Sequence, residues 1–407
     1  MKPTTRIQLS ALMFLEFFIW GAWYVTMGTY LDKVLHATGL QVGAAYSAMA
    51  IATIFSPFFV GMIADRFFSA QKLLGVLHLG GAIFLFELTR LNNPDTFYWV
   101  VLIYSLLYAP TLALANSVAF RQMKDPSKEF ASIRVFGTIG WIATGWLLDK
   151  VFRISTDQLS FTFKMAAVAS VVLGLLSFFL PATPPKAKGT KASFAQILGV
   201  DAFVLFKDSS FTIFFIASVL ICIPLSFYYS LTNLFLTDAG MKNVNSNMTF
   251  GQFSEAFFIL LIPFLFRRLG VKWMIVLGMI AWTLRFLCFG YGDAGAGEWM
   301  LFAGIILHGV CYDFFFVTGQ IYTDSKAGLK IQSSAQGMIT MATYGIGMWI
   351  GTLLSGYVKD HYTMDKISQW KSIWMVPAGI AAAVLVLFIL FFRDNKKTGA
   401  KTALETI

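Results

Sequence analysis

"PATPPKAKGTKASFAQILGVDAFVLFKDSS", residues 181–210, is the longest polar break in the chain. Its prolines and lysines read as a linker, and "FAQILGVDAFVLF" inside it has the make-up of an amphipathic helix lying on a membrane face. On either side the sequence runs in apolar stretches of about 20 residues, the length a helix needs to cross a bilayer. Twelve spans are predicted, at 7–31, 40–64, 73–90, 98–120, 130–152, 161–182, 210–236, 247–266, 273–292, 299–322, 335–358 and 373–392. Half precede the break and half come after it.

Composition agrees. Of 407 residues, 57% are hydrophobic and 13% charged, against roughly a quarter charged in soluble domains. The net charge of +10 does not make a nucleic-acid surface, which needs a basic face on a folded domain. Lys and Arg instead occupy the short breaks. With the N-terminus inside, the inner breaks outweigh the outer ones in positive charge by more than two to one, so both termini are expected in the cytoplasm. "MKPTTRIQLSALMFLEFFIWGAWYVTMGTYL" (1–31) has too long an apolar run for a signal peptide and reads as an uncleaved first span. Cys222, Cys288 and Cys311 lie in apolar segments without metal-ligand spacing, so they are expected as small buried hydrophobes and no metal is expected.

The expected architecture is an all-α membrane protein with an N-terminal six-helix half at 1–182, a cytoplasmic linker at 183–209, a C-terminal six-helix half at 210–393 and a cytoplasmic tail at 394–407. This plan resembles the major facilitator superfamily, whose halves rock about a site near the bilayer midplane.

Ionisable residues within the spans are the informative exceptions: Glu16, Arg134, Glu255, Arg285 and Asp313. A charge at the bilayer centre costs about 2.5–3.5 kcal/mol on translocon scales, so such groups face a partner or a cavity. The near balance of acids and arginines predicts pairing across helices, with Arg285 the first candidate for a structural bridge. Asp313 falls near the middle of its span. At 3.6 residues per turn Gly309, Asp313 and Gln320 are predicted on one face, suited to a water-accessible cavity, and His308 and Tyr312 on the neighbouring face. Gln252 and Glu255, three apart, project together. Such an acid can take up a proton in one arrangement of neighbours and release it in another.

"IRVFGTIGW" (133–141), "GQFSEAFFIL" (251–260) and "CYDFFF" (311–316) resemble the nucleoside:H⁺ symporter family of the major facilitator superfamily. Supporting stretches run in order along nearly the whole chain: "FIWGAWYVTMGTYL" (18–31), "YAPTLAL" (108–114), "RFLCFGYGD" (285–293) and "SSAQGM" (333–338). "GMIADRFFSAQK" (61–72) is similar to the superfamily's loop 2–3 signature, with Gly61, Asp65 and Arg66 in place.

The resemblance implies a permease that imports nucleosides with protons, driven by the proton gradient and needing no cofactor, in the inner membrane; it is expected to act as a monomer. It implies substrate contacts from Arg134 and Thr138, from Gln252 and Glu255, and from Tyr312 and Asp313. Ribose hydroxyls suit carboxylates and amides, and a nucleobase suits rings such as Trp141, Tyr229 or Tyr312. Asp313, Glu255 and Glu16 are the proton-coupling candidates. The chain departs from the family pattern at Glu16 in helix 1 and at Ser226 and Tyr229 in helix 7, where amides are expected, and at His308, where a tyrosine is expected and which is retained as a substrate-binding candidate.

The alternative in the same superfamily is a proton-coupled sugar or oligosaccharide symporter. An enzyme is disfavoured by the lack of HExxH, GxSxG or a Cys/His cluster, with His36, His78, His308 and His361 scattered along the chain. Gly347, Gly351 and Ser355 read as a close-packing stripe, and Pro110, Pro224 and Pro263 as kinks inside spans.

Overall fold

The computed structural model describes residues 2–59, 68–125, 129–185 and 200–393. Apart from a hairpin pairing Thr363–Met364 with Ile367–Ser368, the regular elements among the described residues are helical. A bilayer core offers backbone groups no water, and a helix satisfies them within one segment.

The spans are α1 (Pro3–Lys33), α2 (Gly39–Phe59), α3 (Ala70–Leu88), α4 (Pro94–Arg121), α5 (Ala131–Val151), α6 (Ser160–Ser177) and α7 (Ser209–Asp238). One stretch, Phe250–Tyr291, is helical except at Gly270, whose φ of 70° breaks it into α8 (250–269) and α9 (271–291). The remaining spans are α10 (Glu298–Gly328), α11 (Ile331–His361) and α12 (Trp370–Phe391). Among the described residues eleven apolar helical stretches thus hold twelve spans, the stretch across Gly270 counting as two. A second left-handed glycine, Gly328 at φ 62°, separates α10 from α11. Glycine alone adopts this conformation without a steric penalty.

Local chemistry sets the boundaries. Asn93 caps α4 by accepting from the N–H groups of Asp95 and Thr96 at 2.8 and 3.1 Å, with Pro94 at the first helical position. Asp208 caps α7 by accepting from Ser210 and Phe211. Lys272 reaches the other kind of end, donating to the carbonyls of Ile389 and Phe392 at the close of α12. Within the predicted linker, Val200–Lys207 forms a 3₁₀ helix. The rest of the proposed amphipathic segment, the tail from 394, and Gly61, Asp65 and Arg66 lie outside the described residues.

Small residues set how closely helices approach. A Cβ at Gly351 would stand 2.1 Å from Ser226 Oγ and one at Gly347 2.6 Å from the Val219 carbonyl, so the predicted stripe on α11 meets α7. At Gly140 a Cβ would stand 2.2 Å from the Phe14 carbonyl, which places α5 against α1. Pro110, Pro224 and Pro263 sit inside α4, α7 and α8.

The chain forms two compact units. The first holds Met1–Ala192 with Tyr229–Leu234 and Asn243–Ser246; the second holds Ser193–Tyr228, Phe235–Lys242 and Asn247–Ile407. Polar contacts fix the two short insertions into the first unit. Thr29 Oγ1 donates to Asn233 Oδ1 at 2.6 Å, Asn233 Nδ2 to Asn245 Oδ1 at 3.0 Å, and Asn245 Nδ2 to Asp149 Oδ1 at 2.7 Å. Ser246 N–H completes the chain on Asp149 Oδ2 at 2.7 Å.

Candidate functional site

In the first unit, α5 carries Arg134, Thr138 and Trp141 at i, i+4 and i+7, on one face and all half-buried. Arg134 Cζ lies 3.9 Å from the centre of the Phe17 ring, close enough for the ring quadrupole to hold the cation. Trp141 meets Trp20 edge-on at 5.6 Å, Trp20 meets Tyr24 at 5.7 Å, and Tyr24 meets Tyr229 at 5.7 Å. Phe17, Trp20 and Tyr24 recur at helical spacing on α1, so one face of that helix is an aromatic wall. The indole N–H of Trp20 is buried without an acceptor.

Behind this wall Glu16 is fully buried. Thr111 Oγ1 lies 2.6 Å from its Oε1, His78 Nε2 2.9 Å from its Oε2, and Ser170 Oγ 3.2 Å from His78 Nδ1. Glu16 is therefore paired with a histidine from α3, and the expected pairing with an arginine is corrected. Two of the four scattered histidines are drawn to ionisable groups, His78 to Glu16 and His308 to Arg285.

In the second unit, α8 and α10 touch where Gly251 faces His308 and Gly309 faces the backbone of Ser254 and Glu255. Ser254 Oγ donates to the Ile306 carbonyl at 2.5 Å. This contact brings Glu255, with Gln252 one turn before it, against α10 about one turn from Asp313. Both α8 side chains are half-buried. Asp313 itself is 0% exposed, and neither carboxyl oxygen has a hydrogen-bond partner. It opens a π-helical turn, Asp313–Val317. Wide turns of this kind recur at functional sites.

That turn corrects the predicted stripe. An α-helical count puts Gln320 on the face of Asp313, but the added residue in the π turn rotates the remainder of the helix. Gln320 is exposed beside Gln336, Phe316 and Tyr344, while Asp313 is sealed. Gly309 serves helix contact, not a cavity. Tyr312 is half-buried, its hydroxyl paired with that of Tyr344 and its ring 4.9 Å from Phe316 and 5.5 Å from His308.

Arg285 is 0% exposed and makes no ion pair with a carboxylate among the described residues, so its predicted salt bridge is also corrected. Its Nη1 lies 3.1 Å from His308 Nδ1, and its Cζ stands 3.4 Å from the centre of the Tyr228 ring. Trp282 and Phe289 stand farther off, at 5.7 and 5.8 Å. Sequence reasoning missed Trp20, Tyr228 and the His78 pair. The spacing of 17, 20 and 24 on α1 was the one signal available for any of them. Among the described residues no group of His, Cys, Asp and Glu could hold a metal ion.

A profile of the nucleoside H⁺ symporter family matches residues 3–397. The chain belongs to that family. It is a family of transporters, not enzymes, and the chain is accordingly a multi-pass membrane transporter of the major facilitator fold. Among curated family relatives, the putative nucleoside transporter YegT of Escherichia coli is 41% identical, over 98% of this chain and 96% of its own length. The xanthosine permease of the same organism is 36% identical, over 96% of each. The crystal structure of the nucleoside transporter NupG superposes with a TM-score of 0.88 at 33% identity, covering 96% of this chain and all of that one. A POT family transporter shares the fold at 13% identity, with a TM-score of 0.74 over 96% of each chain.

Proposed function

We propose that this permease imports nucleosides by alternating access, driven by the proton gradient without a cofactor. In this reading it works as a monomer in the inner membrane with both termini cytoplasmic, six-helix halves at 1–182 and 210–393, and no nucleic-acid partner. The observation that carries the proton-coupled part is Asp313: a sealed carboxyl, mid-span, without a single hydrogen-bond donor. Burying an ionised carboxylate unpaired costs several kcal/mol, so the group holds its proton here and must gain water or a donor before releasing it.

Recognition is assigned by chemistry. Trp141, Tyr229 and Tyr312 offer faces on which a nucleobase stacks. Arg134, Thr138, Gln252, Glu255 and His308 offer donors and acceptors for ribose hydroxyls and base edges. Glu255 and Glu16 are the further carboxylates read as proton carriers. The test is uptake of labelled uridine into cells or proteoliposomes with an imposed pH gradient, in competition with unlabelled adenosine and with a disaccharide. Displacement by the nucleoside supports the reading; displacement by the disaccharide alone replaces it with a sugar symporter.

A further inference from the structure

We propose that Arg285 is a positioning residue for substrate recognition, acting through His308. The inference rests on the nucleoside reading only for the chemistry of the ligand. A guanidinium donates hydrogen bonds and never accepts them. Its Nη1, 3.1 Å from His308 Nδ1, therefore makes Nδ1 the acceptor. The imidazole is neutral, and its one proton sits on Nε2. Tyr228 fixes the pair from below: Arg285 Cζ stands 3.4 Å from the centre of its ring, and the His308 ring stacks on it at 5.2 Å with 22° between planes. Neither side chain can turn without breaking a stack.

The outcome is a directed donor. His308 is 2% exposed, and no described residue accepts from Nε2. Gly251 of α8 packs directly against the residue, since a Cβ there would stand 3.2 Å from His308 Cβ, closer than ordinary contact. Tyr312, one turn on, is the half-buried neighbour. An N–H so nearly enclosed, without a protein acceptor, is costly unless water or a ligand supplies one. The Nε2–H group thus selects ligands that present a hydrogen-bond acceptor, a base carbonyl or a ribose oxygen. Arg285 guarantees this by denying the ring its other tautomer. The location also explains why an arginine is tolerated with Nε and Nη2 unpaired: its remaining charge rests on the faces of Tyr228, Trp282 and Phe289.

The experiment is ¹⁵N NMR of histidine-labelled, detergent-purified full-length protein, with uridine binding and uptake measured on the same variants. The chain has 4 histidines, and His308→Gln assigns the signal. The wild type should show an acceptor-type Nδ1 and a protonated Nε2 near neutral pH. Arg285→Met, which removes donor and charge together, should give mixed tautomers and raise KM for uridine about tenfold with kcat nearly unchanged, the loss of one hydrogen bond. Arg285→Lys should restore the tautomer and most of the affinity, and His308→Gln should keep affinity through its amide N–H. A protonated Nδ1 in the wild type overturns the proposal, as does a tautomer or KM unmoved in Arg285→Met. The tautomer is read without substrate, so a protein that shows it yet binds no nucleoside refutes the transport reading and leaves the role of Arg285 standing.

Discussion

His78 Nε2 lies 2.9 Å from Glu16 Oε2, with both residues at most 2% exposed. The hydrogen bonds around them fix their shared proton. Ser170 Oγ donates to the His78 carbonyl at 2.9 Å, so it can only accept from His78 Nδ1–H at 3.2 Å. One proton then remains on the line between Nε2 and Oε2, and the pair is neutral overall in either arrangement. Removing one partner of such a buried pair strands the other. His78→Ala is expected to destabilise the protein by about 3–5 kcal/mol. Adding Glu16→Ala to it should cost less than the sum of the singles, as a double-mutant cycle of thermal unfolding in detergent would show.

Asp313 has the opposite environment, since no donor reaches either oxygen. Asp313→Asn keeps the shape and removes the titration. It should abolish accumulation against a gradient. Normal pH-dependent accumulation by that variant would remove Asp313 from the coupling step.

Arg134 rests on Phe17 at 3.9 Å and shares its face of α5 with Thr138 and Trp141. Arg134→Ala is expected to lose nucleoside binding as well as transport, by more than tenfold if one charged hydrogen bond goes. Binding to purified protein separates the two. Intact affinity would make Arg134 a structural residue.

The meeting of α8 and α10 depends on one absent side chain. A Cβ at Gly309 would stand 2.4 Å from the Ser254 carbonyl carbon, and backbone cannot yield as a flexible side chain does. Gly309→Ala should force the helices apart at about 1–3 kcal/mol, lower the unfolding temperature and displace Glu255 enough to depress uptake. Unchanged uptake and stability would show that the two helices are free to separate at this point.

At the start of α7, Lys326 Nζ sits 2.5 Å from Asp208 Oδ2. Burial alone would raise the Asp208 carboxyl, but the hydrogen bond and charge of Lys326, with the N–H groups of Phe211 and Ser210, outweigh it and hold the carboxyl below its ordinary range. A lowered carboxyl contributes stability above its unfolded pKa and loses it as pH falls through the folded one. Stability should therefore decline in the acid range below about pH 4. Asp208→Asn should show a shallower decline in unfolding temperature over that range.

The spans are legible in the sequence because a bilayer leaves the backbone little choice and apolar length states it directly. Asp313 and Glu255 stand out for the same reason, as charges in apolar runs. Their partners do not. Glu16 and His78 are 62 residues apart, and no periodicity joins two helices so distant in the chain. The π turn at Asp313–Val317 is one extra residue in a winding that composition does not encode, which is why an α-helical count puts Gln320 on the wrong face. Arg285 reads as half of an ion pair because its charge is visible in sequence and the ring of Tyr228 beneath it is not.

Gly270 joins α8 to α9 through a single left-handed residue, and a second one, Gly328, closes α10 two residues before α11 begins. Such a joint has no spare chain. The helix ends it links stay within a few residues of each other, so α8 with α9, and α10 with α11, cannot drift apart at these points. Any larger side chain there meets a backbone conformation that costs about 1–3 kcal/mol, since both glycines pair a positive φ with an extended ψ. Side chains on opposite sides of such a joint are therefore linked by a short, fixed length of backbone, Glu255 on α8 with Arg285 on α9, and Asp313 on α10 with Tyr344 on α11.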